Sequence, residues 1–265
     1  MKPKSKKKLV IHKTALEHIK ESLNTVLNTF DTATARVFNI VMIVLIIIST
    51  GIFVLDTLAY FDPWQKLFDQ LEAIVAILFT AEYVLRVWVA PKPKWKFVGS
   101  VYGIFDLLAI APFYLGFAPI GFLRSFRMIR MLRVLRVLRL LKLSRQAGQM
   151  LTEKERHARA FQIEMQIFAI AVITVVLIFA GIMYAIENPN NSPGFQNIPS
   201  AMWYVIVTIT TVGYGDIVPS TVMGKIVAAF IMLSGTGFLG ILTGIIGKAM
   251  LTQFAIDEKN LNEEE

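Results

Sequence analysis

The sequence predicts an all-α membrane protein with six transmembrane helices and one re-entrant helix, and three observations predict it. Hydrophobic residues make up 55% of the 265 positions and the mean hydropathy is +0.59, well above a soluble domain. Apolar stretches recur along the chain, most of them near the roughly 20 residues that an α-helix needs to cross a hydrocarbon core. Basic residues keep to alternate connections: 59–65, 118–120 and 187–221 contain no Lys or Arg, whereas the N-terminal arm, Lys92–Lys96 and Lys154–Arg159 are basic. Positive residues stay on the cytoplasmic side, so both termini lie inside, in agreement with an even number of spans.

Residues 1–35 form a cytoplasmic segment. Its leader, Met1–Lys8, is basic, but the following stretch is mixed rather than a short apolar run with a small-residue cleavage site, and is not read as a secretory signal. Leu16, Ile19, Leu23, Val26, Leu27 and Phe30 recur at helical spacing. With the basic leader this face suits a helix on the anionic inner leaflet; self-association is the other use of such a face. The first span runs from about Val37 to Leu58 and is almost continuously apolar. The second, about Leu67 to Ala90, carries Asp69, Glu72, Glu82 and Arg86, and the third, about Val98 to Phe117, carries Asp106. The fourth runs from about Gly121 to Leu143 and the fifth from about Phe161 to Ile186. Ile198–Ile209 is apolar but too brief to span, and the last span runs from about Val222 to Leu251, followed by an acidic tail over 255–265. The chain has no cysteine, which excludes disulfides, a cysteine nucleophile, thiolate zinc sites and iron–sulfur ligation.

The fourth segment is unusual. Arg124, Arg127, Arg130, Arg133, Arg136, Arg139, Lys142 and Arg145 recur at every third residue, with Leu, Met, Val, Ile and Phe between them. On an α-helix this step winds the charges slowly round the axis; on a 3₁₀ helix it stacks them in one row. A basic amphipathic helix on a membrane surface or a nucleic acid is the plainer alternative. Against it stand the very short outer connection and the acidic residues of the neighbouring spans. An arginine at the bilayer centre costs about 2.5–3.5 kcal/mol on insertion scales, so the stripe must face water crevices and carboxylates. One charge crossing 100 mV is worth roughly 2.3 kcal/mol, and a few such charges suffice to drive a conformational change. Glu72, Phe79 and Glu82, at spacings of seven and three, share one face of the second helix.

The short apolar piece leads into Thr210-Thr211-Val212-Gly213-Tyr214-Gly215-Asp216. The two glycines tolerate left-handed dihedrals that turn successive carbonyls to the same side. Oxygens at that spacing can replace the water shell of a bare cation, and Thr211 adds a hydroxyl. The C-terminal end of the short helix turns partial negative charge toward this loop, and Asp216 and Glu187 add negative charge near the outer mouth. One chain carries one such loop, whereas a ring of carbonyls takes four. The last span holds Gly235, Gly237, Gly240, Gly244 and Gly247, which permit either close packing or bending.

Over residues 36–254 the chain resembles the voltage-gated potassium channel family in its six-transmembrane, prokaryotic form, by the loop, the stripe and the acidic–aromatic set. The resemblance implies a four-helix voltage sensor (36–145), a linker (146–160) and a two-helix pore unit (161–254), assembled as a homotetramer in the plasma membrane. It implies a selectivity filter at Thr211, Val212, Gly213, Tyr214 and Gly215, which bind the permeant K+, followed by Asp216. Phe79 becomes a hydrophobic plug, Glu82 and Asp106 the inner acidic partners of the stripe, and Glu72 an outer partner. Trp203 and Tyr204 brace the filter tyrosine, and Gly235 aligns with the hinge glycine, while Gly244 lies where the inner bundle closes. The proline bend of eukaryotic members is missing from the last span. Neither end is expected to carry an assembly or ligand-binding domain, no cofactor or nucleic acid is expected, and lipids, anionic ones of the inner leaflet among them, are the remaining partners. Opening by hyperpolarisation is the alternative within channels, since the sign lies in coupling through 146–160. A sensor-driven enzyme or a non-conducting scaffold are the alternatives outside them; lack of cysteine excludes a cysteine-dependent phosphatase.

Overall fold

The computed structural model describes residues 15–28, 32–115, 132–140, 160–190 and 192–264. Regular structure among the described residues is helical throughout. Helix α1 (Ala15–Asn28) precedes α2 (Ala33–Leu55), which starts where the Thr32 hydroxyl accepts from Ala35 N–H at 3.1 Å. A 3₁₀ turn over Ala59–Trp64 leads into α3 (Gln65–Val89). That helix stops at Ala90, which precedes Pro91 and takes the extended conformation (ψ 141°) that a following proline imposes. The short α4 (Trp95–Val98) and α5 (Val101–Leu115) follow. Beyond them come a 3₁₀ segment, Leu132–Val137, then α6 (Ala160–Glu187), α7 (Ile198–Ile209) and α8 (Val222–Glu264).

Three of these segments are long and apolar enough to cross a membrane: Ala33–Leu55, Phe161–Asn190 and Val222–Thr252. Helix α3 has 25 residues, but Asp69, Glu72, Glu82 and Arg86 interrupt its apolar run, and α5 has only 15 residues. Val37, Ile40, Val44 and Ile47 project outward from α2, as apolar side chains do where a helix meets lipid. The protein is therefore an all-α, multi-pass membrane protein.

Two cores hold the helices together. Met42 and Ile46 of α2, Val75 and Phe79 of α3, and Ile110 of α5 make the smaller one. The larger joins Phe53 of α2 and Val134 and Val137 of the 3₁₀ segment to Leu177, Ala180 and Met183 of α6, Ala201 and Val205 of α7, and Ile231 of α8. A polar tie reinforces it where Ile198 N–H, at the start of α7, donates to Thr57 Oγ1 at 3.0 Å.

Several boundaries differ from the sequence expectation. Helix α2 ends at Leu55 and tightens into the 3₁₀ turn, short of Leu58. Helix α8 runs on to Glu264, so the acidic tail is helical up to that residue. Helix α1 is seated on α2 and α3, with Leu27 only 2% exposed, whereas Ile19 of the same apolar stripe is 53% exposed.

Candidate functional site

Helical spacing brings Glu72, Phe79, Glu82 and Arg86 to the buried face of α3. Opposite them runs the 3₁₀ segment, where three residues per turn and about 2.0 Å of rise stack every third side chain about 6 Å apart. Arg133 and Arg136 lie within that segment and Arg139 one step beyond it. Arg133 Nη1 pairs with Glu72 Oε2. Arg136 donates from Nε to the Ala109 carbonyl at 3.1 Å and from Nη1 to the Ser49 hydroxyl. Arg139 donates from Nη1 to Glu82 Oε2 at 2.7 Å and from Nη2 to the Asp106 carbonyl at 3.1 Å, and its Nε lies 3.4 Å from Asp106 Oδ1. Its guanidinium carbon also sits 4.2 Å from the ring centroid of Phe79, a fully buried side chain.

The column thus holds three cations, Arg136 and Arg139 buried and Arg133 partly so, on three kinds of partner: a carboxylate, neutral oxygens, and a pair of carboxylates behind an aromatic ring. Each partner set offsets the desolvation of one guanidinium. A shift of the stripe by one three-residue step would bring each arginine to its neighbour's partners. Arg124, Arg127, Arg130, Lys142 and Arg145 of the expected stripe lie outside the described residues. Of the expected acidic–aromatic set, all four members, Glu72, Phe79, Glu82 and Asp106, meet the described arginines. Ser49 was not singled out from the sequence; nothing sets it apart in an apolar helix until the facing guanidinium is in view.

The second cluster is built around α7. The Asn197 side chain accepts from Ser200 N–H at 2.9 Å and Pro199 occupies the first turn, together fixing the start of the helix. At its other end the N–H groups of Val212 and Gly213 both donate to the Val207 carbonyl, at 3.0 and 3.2 Å. The backbone then turns left-handed at every second residue: φ is 63° at Thr211, 60° at Gly213 and 77° at Gly215. Thr211 is the one non-glycine residue at positive φ among those described, and a β-branched residue holds that conformation only where its surroundings impose it. Tyr214 stacks on Trp203 with ring centroids 5.7 Å apart and planes 7° apart, and Trp203 Nε1 donates to Asp216 Oδ2 at 2.7 Å. Tyr204, expected beside Tyr214, is buried against Phe195, 5.3 Å between centroids.

Around this loop two further groups acquire definite positions. A β-carbon on Gly235 would lie 2.4 Å from the Ile209 carbonyl oxygen, so this glycine is where α8 presses against the end of α7. Gly244 has open space around it within the chain. Glu187, expected as negative charge near the outer mouth, is instead fully buried. Its Oε1 accepts from Thr221 N–H (3.1 Å) and Oγ1 (2.6 Å); its Oε2 accepts from Ser220 N–H (3.1 Å) and Oγ (3.0 Å) and from Ser192 Oγ. The carboxylate is spent on fastening the end of α6 to the start of α8.

A helical bundle with a paired column of buried arginines, beside a short capped helix that presents an alternating left-handed loop, defines a multi-pass membrane protein built for ion transport. The chain belongs to the ion transport protein family: residues 35–253 match that family's model. This is a family of channels, and the chain is not an enzyme. Its relatives include voltage-gated potassium channels. The potassium voltage-gated channel protein Shal of Drosophila melanogaster is 38% identical over 185 residues, 68% of this chain and 31% of the relative. A protein of Rhodopseudomonas palustris whose name proposes a potassium channel is 31% identical over 226 residues, 80% of this chain and 53% of its own length. The human A-type voltage-gated potassium channel KCND3 is 34% identical over 180 residues, 66% of this chain and 26% of the relative. The chain spans at most about half the length of the curated relatives it matches.

Proposed function

We propose that the protein is a voltage-gated, potassium-selective channel that assembles from four copies in the plasma membrane, with six spans per chain and both termini cytoplasmic. The observation that carries the reading is the alternation of left-handed backbone at Thr211, Gly213 and Gly215 beyond a short capped helix. Such alternation turns the intervening carbonyls to one side, where rings of oxygens from four copies can stand in for the hydration shell of K+. No other cofactor enters; K+ is the cargo, carried passively by Thr211, Val212, Gly213, Tyr214 and Gly215 toward Asp216.

The drive for gating comes from the stripe. A guanidinium that exchanges Ser49 and the Ala109 carbonyl for Glu82 and Asp106 moves charge through the membrane field. The relatives' names, which join voltage gating to potassium, support both halves of the reading. Residues 36–145 then form the sensor, 146–160 the coupling linker and 161–254 the pore unit. Gly235 acts there as a packing contact, whatever bending Gly244 supplies. Lipids surround the assembly, with anionic headgroups available to the basic N-terminal arm, and nucleic acid has no part in it.

The test is current through purified protein in planar bilayers, under a potassium–sodium gradient, with steps to both polarities. The expected result is a reversal near the potassium equilibrium value with opening at one polarity only. A current that does not distinguish potassium from sodium overturns the filter, and a selective current indifferent to voltage overturns the sensor.

A further inference from the structure

Helix α1 lies ahead of the residues that match the family, 35–253, yet it reaches the sensor column. Asn28, its last residue, accepts a hydrogen bond from Arg86 Nη1 at 3.0 Å through Oδ1. The amide is oriented from behind, because Asn28 Nδ2 donates to Asn24 Oδ1 at 2.8 Å one turn earlier; the carbonyl oxygen is thus the atom left for the guanidinium. Two further contacts seat the helix: the buried Leu27, and the Lys20 ammonium, 5.2 Å from the centroid of the Trp88 ring. Arg86 in turn is 2% exposed and gives Nε to Glu82 Oε1 at 2.5 Å. The other oxygen of that carboxylate holds Arg139 at 2.7 Å. One carboxylate therefore serves two guanidiniums, one fixed on α3 and one on the stripe.

We propose that Asn28 is a positioning residue of the sensor. By holding one arm of Arg86, it keeps Arg86 on a single oxygen of Glu82 and leaves the second oxygen to the stripe. The N-terminal helix thereby stabilises the position in which Arg139 occupies the inner acidic pair. The inference rests on the voltage-sensing reading above. Without Asn28, Nη1 of Arg86 is a buried donor without its partner, which is costly, and the carboxylate it already touches can take its fork bidentately. Arg139 then loses its share of Glu82. With Arg139 at the inner acids, only Lys142 and Arg145 of the stripe follow in sequence, so this is an outward-stepped position. Depolarisation drives a positive stripe outward whichever way the gate is coupled. Weakening the outward position therefore displaces activation to more positive voltages in either case.

The experiment compares conductance–voltage curves of the full chain in planar bilayers for the native protein, Asn28→Ala and Asn28→Asp. Asn28→Ala is expected to move the midpoint to more positive voltages, with a change of about 5-fold or more in the sensor equilibrium at fixed voltage. Asn28→Asp keeps an acceptor and adds charge, and is expected at the native midpoint or negative of it. In an Arg86→Lys background the effect of Asn28→Ala is expected to shrink, because the two residues act as one unit. Should Asn28→Ala fail to assemble, Lys20→Ala loosens the same seat and is expected to move the midpoint the same way. Superimposed curves, a displacement to negative voltages, or equal displacement by Ala and Asp overturns the proposal. A native current without voltage dependence overturns the sensor reading itself and this inference with it, whereas a voltage-dependent native current with an unmoved variant overturns this inference alone.

Discussion

At Gly213 and Gly215 the backbone stands at φ 60° and 77°, and a β-carbon would meet no atom within 4 Å. Within the chain, replacement by alanine therefore costs through the backbone rather than through crowding, at about 1–2 kcal/mol per residue. Gly213→Ala or Gly215→Ala is expected to abolish potassium selectivity or conduction, read as a reversal potential moved toward zero in a potassium–sodium gradient or as loss of current; an unmoved reversal would sink the filter assignment. Glu187 offers a second case. Removing its carboxylate in Glu187→Ala leaves the Ser220 and Thr221 N–H groups at the start of α8 and three hydroxyls without their acceptor. At about 1–3 kcal/mol for an unsatisfied buried group, a loss of about 3 kcal/mol or more is expected, measured as a fall in thermal stability in detergent. The loop was legible in the sequence because its residues are contiguous. Glu187 was not: its partners Ser220 and Thr221 lie 33 and 34 residues away, and an acid between two spans reads as surface charge until the fold buries it. The left-handed Thr211 was equally hidden, since a β-branched residue disfavours that conformation locally.

Among the elements, α8 makes the sharpest test of what glycines do in a long helix. Gly235 lies against the Ile209 carbonyl oxygen, 2.4 Å from where a β-carbon would stand, whereas Gly244 has nothing within 4 Å. The obstacle at Gly235 is backbone and cannot swing aside, so Gly235→Ala must push α8 off the end of α7 and disturb the loop that α7 carries. It is expected to lower thermal stability and impair potassium selectivity, while Gly244→Ala, which relieves a helix of a poor helix former at about 1 kcal/mol, is expected to keep both. If Gly235→Ala behaves like native protein in melting and in reversal potential, the packing role is wrong. The apolar run Ile198–Ile209 read from the sequence is the stretch that α7 occupies, and the structure adds the Asn197 cap that fixes its start. It left the stripe open between two helix types, since a three-residue repeat is compatible with both; the fold selects 3₁₀ at Leu132–Val137, where Arg133 and Arg136 must meet partners on α2, α3 and α5 in one row.

For the whole molecule, the sequence leaves undecided whether the arginine column packs on α6 of its own chain or of another copy. No periodicity encodes this, because it depends on a path between two bundles. In the structure Val134 of the stripe and Phe53 of α2 share the larger core with Leu177, Ala180 and Met183 of α6, and Thr57 accepts from the first residue of α7. The arginine column and α6 of one chain thus share a core. A β-carbon on Gly181 would lie 3.5 Å from Val134 Cβ, within the separation of about 3.5–4.5 Å that a disulfide spans. The chain has no cysteine of its own, so a Val134→Cys, Gly181→Cys pair has no competing thiol. Oxidation of that double variant in detergent is expected to close a bond within one chain, leaving a single band at the mass of one chain, 29.8 kDa, on a non-reducing denaturing gel. The same protein, undenatured, is expected at four times that mass by light scattering, because the loop at 211–215 lines open space in one copy, with Tyr214 67% exposed. A ladder of cross-linked chains on the denaturing gel would instead mean that each sensor lies against its neighbour's α6, and would overturn the own-pore arrangement while leaving the filter and the arginine column untouched.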